Sequence, residues 1–213
     1  MNESALIVGA GSGLSASLAH LCASKGMKVV LAARNIEKLQ NLKKEIGLNT
    51  IKCDATNIKS VTNLFKKTDK IIGAPNLVIY NPSKSLGGSI VDLDPKKAHE
   101  AIDVTCYGGF LVAQQAAKRM LKKKRGSIFF TGATASIKGF PESSVFAMGK
   151  FGLRGLAQSL ARELHPQNIH IGHFIIDGGI GKENYGSYKA IHPDEIAKVY
   201  LQFHNQNKSA WSW

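Results

Sequence analysis

The sequence predicts a single doubly wound α/β domain, a parallel sheet with helices on both faces. Two observations carry this. Short apolar runs alternate with amphipathic stretches almost without interruption, the pattern of successive βαβ units. No internal repeat, linker or composition shift breaks that alternation, so residues 1–213 read as one domain. Right-handed crossovers between parallel strands then place helices above and below the sheet.

The elements follow in order. "ALIVGAG" (5–11) is a buried strand entering a glycine turn, and "LSASLAHLCASKG" (14–26) is a helix that stops at a glycine. "KVVLAARN" (28–35) is the second strand and "IEKLQNLKKEIG" (36–47) the second helix. A short strand at "TIKCDAT" (50–56) precedes a helix over 58–67, and "PNLVIYNPS" (75–83) is the next strand. One long helix is expected from Pro95 to Lys124, then the strand and small-residue loop "GSIFFTGATAS" (126–136). A helix over 144–165, the strand "IHIGHFIID" (169–177) and a helix opened by Pro193 complete the chain.

Composition narrows the function classes. A chain of 213 residues with 44% hydrophobic and 20% charged residues can bury a core and is neither disordered nor fibrous. Three widely spaced cysteines, Cys22, Cys53 and Cys106, fit neither a metal site nor a disulfide framework and suit a reducing, cytoplasmic setting. "MNESALIVGAG" has neither a basic leader nor a long apolar run, so no signal peptide or membrane span is expected. The net charge of +13 is read as lysines spread over helix faces, with a basic cleft for a polyanionic cofactor as a compatible addition. Its densest run, "KRMLKKKRG" (118–126), ends a helix, where cations complement the dipole, and nothing resembles a nucleic-acid-binding motif.

The first chemical signal is "VGAGSGLSASLA", glycines between a strand and a helix. Gly9, Gly11 and Gly13 let the backbone turn tightly and approach a pyrophosphate. Ser12 lies between them, and the helix beginning at Leu14 offers free N–H groups and a positive dipole end. This reads as the dinucleotide turn of a Rossmann domain, the plain alternative being a strand–helix turn with no ligand. After the second strand, an acidic residue would select NAD through the ribose hydroxyls. Here the segment is "AARN", with no carboxylate until Glu37, and Arg34 can pair bidentately with a 2′-phosphate. NADP(H) is therefore the preferred cofactor and NAD(H) the alternative; a surface arginine answering a helix carboxylate is the plain reading of Arg34.

These motifs, in this order and spacing over residues 4–205, resemble the short-chain dehydrogenase/reductase family. "GAGSGLS" is similar to the family's glycine motif, with Ser15 at its last glycine, and "CDAT" to its acidic turn, where Asp54 and Ala55 would meet the adenine. "YNPS" stands at the Asn-Asn-Ala-Gly turn, keeping Asn81 beside Pro82. "IDVTCYGGF" matches the central helix, and "ARELHPQNIHIGHFIIDGG" leads to the Pro-Gly turn with Asp177 for the proline, so Gly178 and Ile180 would border the cofactor. "FTGATAS", "GKFGLRGLAQSLAREL" and "IDGG" resemble bacterial members. The resemblance implies reversible hydride transfer between a nicotinamide and a small carbonyl or alcohol, and a homodimer or homotetramer built on the two long helices.

The catalytic tetrad is incomplete. Lys150 stands at the family's lysine, but Phe146 replaces the proton-donating tyrosine, Ala133 the carbonyl-polarising serine and Thr105 the asparagine. Two other Tyr-x-x-x-Lys spacings, Tyr80–Lys84 and Tyr185–Lys189, lie in proline- or glycine-interrupted segments, where a four-residue interval does not bring side chains together. General acid–base assistance is worth about 10²–10⁴ in rate. Substitute donors near the same mouth are Thr131, Thr134, Ser136, Ser83, Lys84 and Tyr107, whereas His173, within a strand, reads as a satisfied core histidine. Two functions follow: an NADP(H)-dependent oxidoreductase with a non-standard proton donor, or an NADP(H)-binding pseudoenzyme that senses or scaffolds. The family's strand beyond the last helix has no counterpart before "SAWSW".

Overall fold

The computed structural model describes residues 3–181, 183 and 190–213. Six parallel strands form one sheet in the order β3-β2-β1-β4-β5-β6. They are β1 Ser4–Val8, β2 Lys28–Ala33, β3 Asn49–Lys52, β4 Leu77–Tyr80, β5 Gly126–Thr131 and β6 Ile169–Phe174. The chain reverses direction across the sheet between β1 and β4, and a crevice opens beyond the carboxyl ends of the strands there.

Among the described residues seven α-helices flank the sheet: α1 Leu14–Ser24, α2 Gln40–Ile46, α3 Ile58–Ile72, α4 Pro95–Ile102, α5 Gly108–Lys123, α6 Ser144–Leu164 and α7 Pro193–His204. Alternate residues of each strand feed two cores. Leu6, Val30, Val78 and Phe130 face α3, α5 and α6. Ala5, Leu31, Ile79 and Phe129 face α1 and α7. Both strand faces are thus covered, which is why the strands read as unbroken apolar runs.

The differences from expectation have local causes. β3, β4 and β6 are shorter than their sequence runs because the residues after them leave the ladder to build the mouth of the crevice. The second helix begins as a 3-10 turn, Glu37–Leu39, with Asn35 capping the N–H of Glu37 at 2.9 Å. The long helix is interrupted between α4 and α5 by a π-helical stretch, Asp103–Tyr107. A short parallel pair, β7 Gly179–Ile180 and β8 Ala190–Ile191, was not foreseen. Among the described residues the sheet has no seventh strand, and the segment after α7 instead stacks Trp211 on His170, at 4.6 Å, beside the edge strand β6.

Candidate functional site

The turn between β1 and α1 is closed by hydrogen bonds. Gly9 has φ of +82°, and a Cβ there would stand 2.7 Å from the Pro82 ring, so both conformation and space require glycine. Gly11 and Gly13 have open space where a Cβ would be and no positive φ. The tight turn is therefore Gly9's contribution, and the other two leave the backbone uncovered. Ser15 Oγ donates to the Gly9 carbonyl at 3.1 Å and accepts from Asn81 Nδ2 at 2.8 Å. Asn81 N–H in turn donates to the Val8 carbonyl at 3.0 Å. Ser15 thus ties the glycine turn to the loop after β4. At the amino end of α1 the Ala16 and Ser17 N–H groups donate to the Gly13 carbonyl, at 2.9 and 3.2 Å, and the N–H groups of Leu14 and Ser15 precede the first helical bond.

Next to this turn lies a cleft of about 440 Å³ lined by Gly9, Arg34, Lys38, Asp54, Ala55, Asn81 and Pro82, among others. Arg34 and Lys38 are exposed at one side. Lys38 escaped the sequence reading, although it stands one helical turn beyond Arg34. On the other side, one carboxylate oxygen of Asp54 accepts from the Thr56 N–H at 3.0 Å and hydroxyl at 2.8 Å. Val104 also lines the cleft, and its carbonyl accepts from the hydroxyl of the buried Tyr80 at 2.5 Å. A π-stretch offsets the usual helical ladder, and Val104 is the residue whose carbonyl meets this side-chain donor. Gly108 leaves room for the Tyr80 hydroxyl, since a Cβ there would be 2.3 Å from it.

Beyond the β5 and β6 ends the polar inventory changes. Lys150 is 3% exposed, and its Nζ donates to the Thr131 carbonyl at 2.9 Å. Burial pulls its pKa down to about 8. The half-buried Phe146 ring lies 5.6 Å from Nζ, and Ala133 shows only a methyl group. Thr105, buried, accepts from the Lys84 N–H at 3.1 Å and packs on Gly149, where a Cβ would meet it at 2.8 Å. The lysine, phenylalanine, alanine and threonine of the tetrad positions are thereby brought to one end of the crevice.

The other donors named from sequence are mostly engaged. Thr131 Oγ1 shares a 2.8 Å hydrogen bond with Tyr200, a fully buried α7 residue on the opposite sheet face. Ser136 Oγ accepts from the Ala133 N–H at 3.1 Å, and Lys84 pairs with Glu100 at 2.6 Å. Thr134 donates to Asp177 at 2.5 Å, and Tyr107 stacks on Phe110. Gly178 and Ile180 follow β6 at the mouth, and Tyr185–Lys189 lies outside the described residues. His173 corrects the sequence reading: it is buried, but its Nε2 has no partner among the described residues, so it is not a satisfied core histidine. Among those residues no cluster of His, Cys, Asp and Glu could hold a metal, and no helix is long and apolar enough to cross a membrane.

Comparison with known proteins agrees with this geometry. The family model for short chain dehydrogenase matches residues 3–181. An uncharacterised oxidoreductase of Staphylococcus aureus (strain USA300) is 30% identical over 214 residues, covering 96% of this chain and 91% of the relative. A 3-oxoacyl-[acyl-carrier-protein] reductase of Bos taurus is 25% identical over 80% of this chain and 73% of its own length. Among solved structures, a short-chain dehydrogenase from Rhodopseudomonas palustris superposes with a TM-score of 0.89 at 34% identity, covering 100% of this chain and 96% of that one. A metagenomic short-chain oxidoreductase in complex with NADP superposes with a TM-score of 0.87 at 25% identity, covering 98% and 93%.

Proposed function

This chain belongs to the short-chain dehydrogenase family, and we propose that it is an NADP(H)-dependent oxidoreductase acting on a small carbonyl or alcohol with a non-standard proton donor. The observation that carries this is the cradle in which Gly9, Ser15, Asn81 and Pro82 lock one another. It leaves a bare backbone at Gly11, Ser12 and Gly13 facing the amino end of α1, the donor set a pyrophosphate needs. Arg34 and Lys38 would hold a 2′-phosphate, Asp54 and Ala55 would border the adenine, and Lys150 would hold the nicotinamide ribose. Gly178 and Ile180 would border the cofactor at the far end of the cleft. The NADP-bound neighbour supports the same preference. When bound, the nicotinamide supplies or accepts the hydride. The chain's own part is to orient the two reactants, exclude water and manage the proton.

The test is titration of purified protein with NADPH and NADH, followed by the cofactor's own fluorescence. NADPH binding in the micromolar range with weaker NADH is expected, and failure of both at millimolar concentration sinks the proposal. The absence of hydroxyls at Phe146 and Ala133 favours a second reading, a pseudoenzyme that binds NADP(H) without turnover. NADPH binding with no oxidation across a broad carbonyl panel would select it.

The outer faces of α5 and α6 support a homo-oligomer. Phe110 is 42% exposed there, beside an apolar groove formed with Ala117, Leu121, Leu156 and Leu160. Light scattering should return a dimer or tetramer mass, and a monomer mass removes this part of the proposal.

A further inference from the structure

His173 is a buried polar group at the site whose role the cofactor reading leaves open. It lies near the carboxyl end of β6, is 8% exposed, and keeps its Nε2 without a hydrogen-bond partner among the described residues. A buried, unpaired ring nitrogen is destabilising, so its presence calls for a use. The ring fits only because residue 132 is glycine: a Cβ there would stand 2.3 Å from Cε1 and 2.6 Å from Nε2. Gly132 lies between Thr131, whose carbonyl holds Lys150, and Ala133. His173 is therefore packed against the loop that positions the lysine.

Lys150 has matching unused capacity. Its ammonium carries three donors, and the structure gives it one acceptor, the Thr131 carbonyl. The nearest aromatic neighbour, Phe146, offers a ring face and no hydroxyl. On α6 itself the next charge is Arg154, which stays protonated and cannot release a proton. The carboxylates on the elements packed around α6 are occupied elsewhere: Asp103 with His99 at 3.3 Å, Glu100 with Lys84 and Asp177 with Thr134. Among the described groups of that surround, Lys150 can give up a proton and the His173 ring offers an unpaired acceptor.

We propose, on the oxidoreductase reading above, that Lys150 is the proton donor of the reduction and that His173 is its positioning residue, whose Nε2 lone pair receives the ammonium when it leaves the Thr131 carbonyl. The substrate's carbonyl carbon gains a hydride with its electron pair from the reduced nicotinamide, which becomes oxidised. The carbonyl oxygen takes one proton from the Lys150 ammonium, leaving a neutral amine that regains a proton from water. Burial, then the charges of Lys150 and Arg154, hold the His173 ring down to about 4, so the imidazole is neutral while the lysine is charged. The lysine, lowered by burial to about 8, lies below the ordinary lysine range of about 10.4, so its ammonium is a stronger acid than that of an exposed lysine.

Two readouts test this, the first independent of turnover. In protein with ¹³Cε-labelled lysine, one NMR resonance, absent from Lys150→Arg, should titrate near pH 8 while the other lysines titrate above 10. His173→Leu, which removes the acceptor, should move that midpoint down by about half a unit or more, and His173→Gln, which keeps one, should restore it. If His173→Leu does not fold, His173→Asn, polar but too short to reach, should show the same downward shift. The second readout is NADPH-dependent reduction of 9,10-phenanthrenequinone. Its rate should fall about tenfold per pH unit above the lysine midpoint, and Lys150→Arg should lower it about 100-fold even at saturating NADPH. A Lys150 resonance that titrates with the rest, a Lys150→Arg variant with wild-type turnover, or NADPH binding without any quinone reduction each overturns the assignment. Absence of NADPH binding instead sinks the oxidoreductase reading, and the lysine titration of the apo-protein still judges the Lys150–His173 pair.

Discussion

At the adenosine end of the crevice the ligand would be met by backbone, and at the nicotinamide end by side chains. The first end is a glycine turn whose shape is fixed by Ser15, Asn81 and Pro82. The second end rests on one buried cation, Lys150, held by a single carbonyl and surrounded by groups that cannot replace a tyrosine hydroxyl. At Gly9 backbone recognition leaves little room for substitution, since a Cβ there collides with Pro82. Side-chain chemistry can be exchanged without moving the chain, so the reading that puts Phe146 and Ala133 at the places of a tyrosine and a serine is tested by restoring those two side chains. If cofactor binding and proton transfer are separable in this molecule, variants at the two ends will move different readouts.

The hardest blow to that comparison is struck at the first end. Gly9→Ala forces a left-handed backbone angle on a residue with a Cβ and drives that Cβ into Pro82. NADPH affinity should fall by about 100-fold or more, the effect of strain and clash together at about 3 kcal/mol. Fluorescence titration measures it. An alanine variant that binds normally would mean that the turn is not the anchor.

A gain of function tests the second end. Phe146→Tyr with Ala133→Ser adds a phenol and a hydroxyl where the frame can use them, and should raise carbonyl turnover about 10- to 100-fold with little change in NADPH affinity. Steady-state kinetics would show it as a change in kcat. If turnover does not rise, or affinity changes as much as turnover, the two ends are not separable.

Specificity is a smaller, one-sided effect. Arg34→Ala removes a charged partner from the ribose side of the cleft and should weaken NADPH about 10- to 100-fold while leaving NADH within about twofold, since a charge-assisted contact is worth about 1.5–3 kcal/mol. Parallel titrations with the two cofactors measure it. Equal losses for both would assign Arg34 a structural role.

The adenosine end was also the more legible in the sequence. Order and spacing were enough to place the glycine turn at Gly9, Asn81 beside it and Arg34 on the edge of the cleft, because turns are written as glycines and turn residues next to a strand. Ser15 was visible as a departure from the family motif, but its bridge between two loops depends on residues 66 positions apart. At the other end the tetrad positions were readable, and the state of the groups filling them was not. His173 looks like any core histidine within "IHIGHF"; only the packing of Gly132 against it and the missing partner at Nε2 set it apart. The π-stretch at Asp103–Tyr107 was equally hidden, since its sequence continues the helical pattern of its neighbours.

That π-stretch joins the two ends, which gives the least perturbing test. Val104, whose carbonyl takes the Tyr80 hydroxyl, lines the adenosine cleft, and its neighbour Thr105 holds the backbone of Lys84 on the way to the nicotinamide end. Tyr80→Phe deletes the donor without changing the ring, leaving the Val104 carbonyl short of its partner. A buried acceptor left unsatisfied costs about 1–3 kcal/mol, so urea unfolding should show a loss of that size at unchanged m-value. If the π-stretch positions both ends, the same variant should weaken NADPH binding about two- to fivefold and lower turnover by a similar factor. The losses at the two ends should then move together, unlike those of the Arg34 and Phe146 variants. A Tyr80→Phe protein that loses stability alone would make the bond a packing element, with each end of the crevice positioned independently of the other.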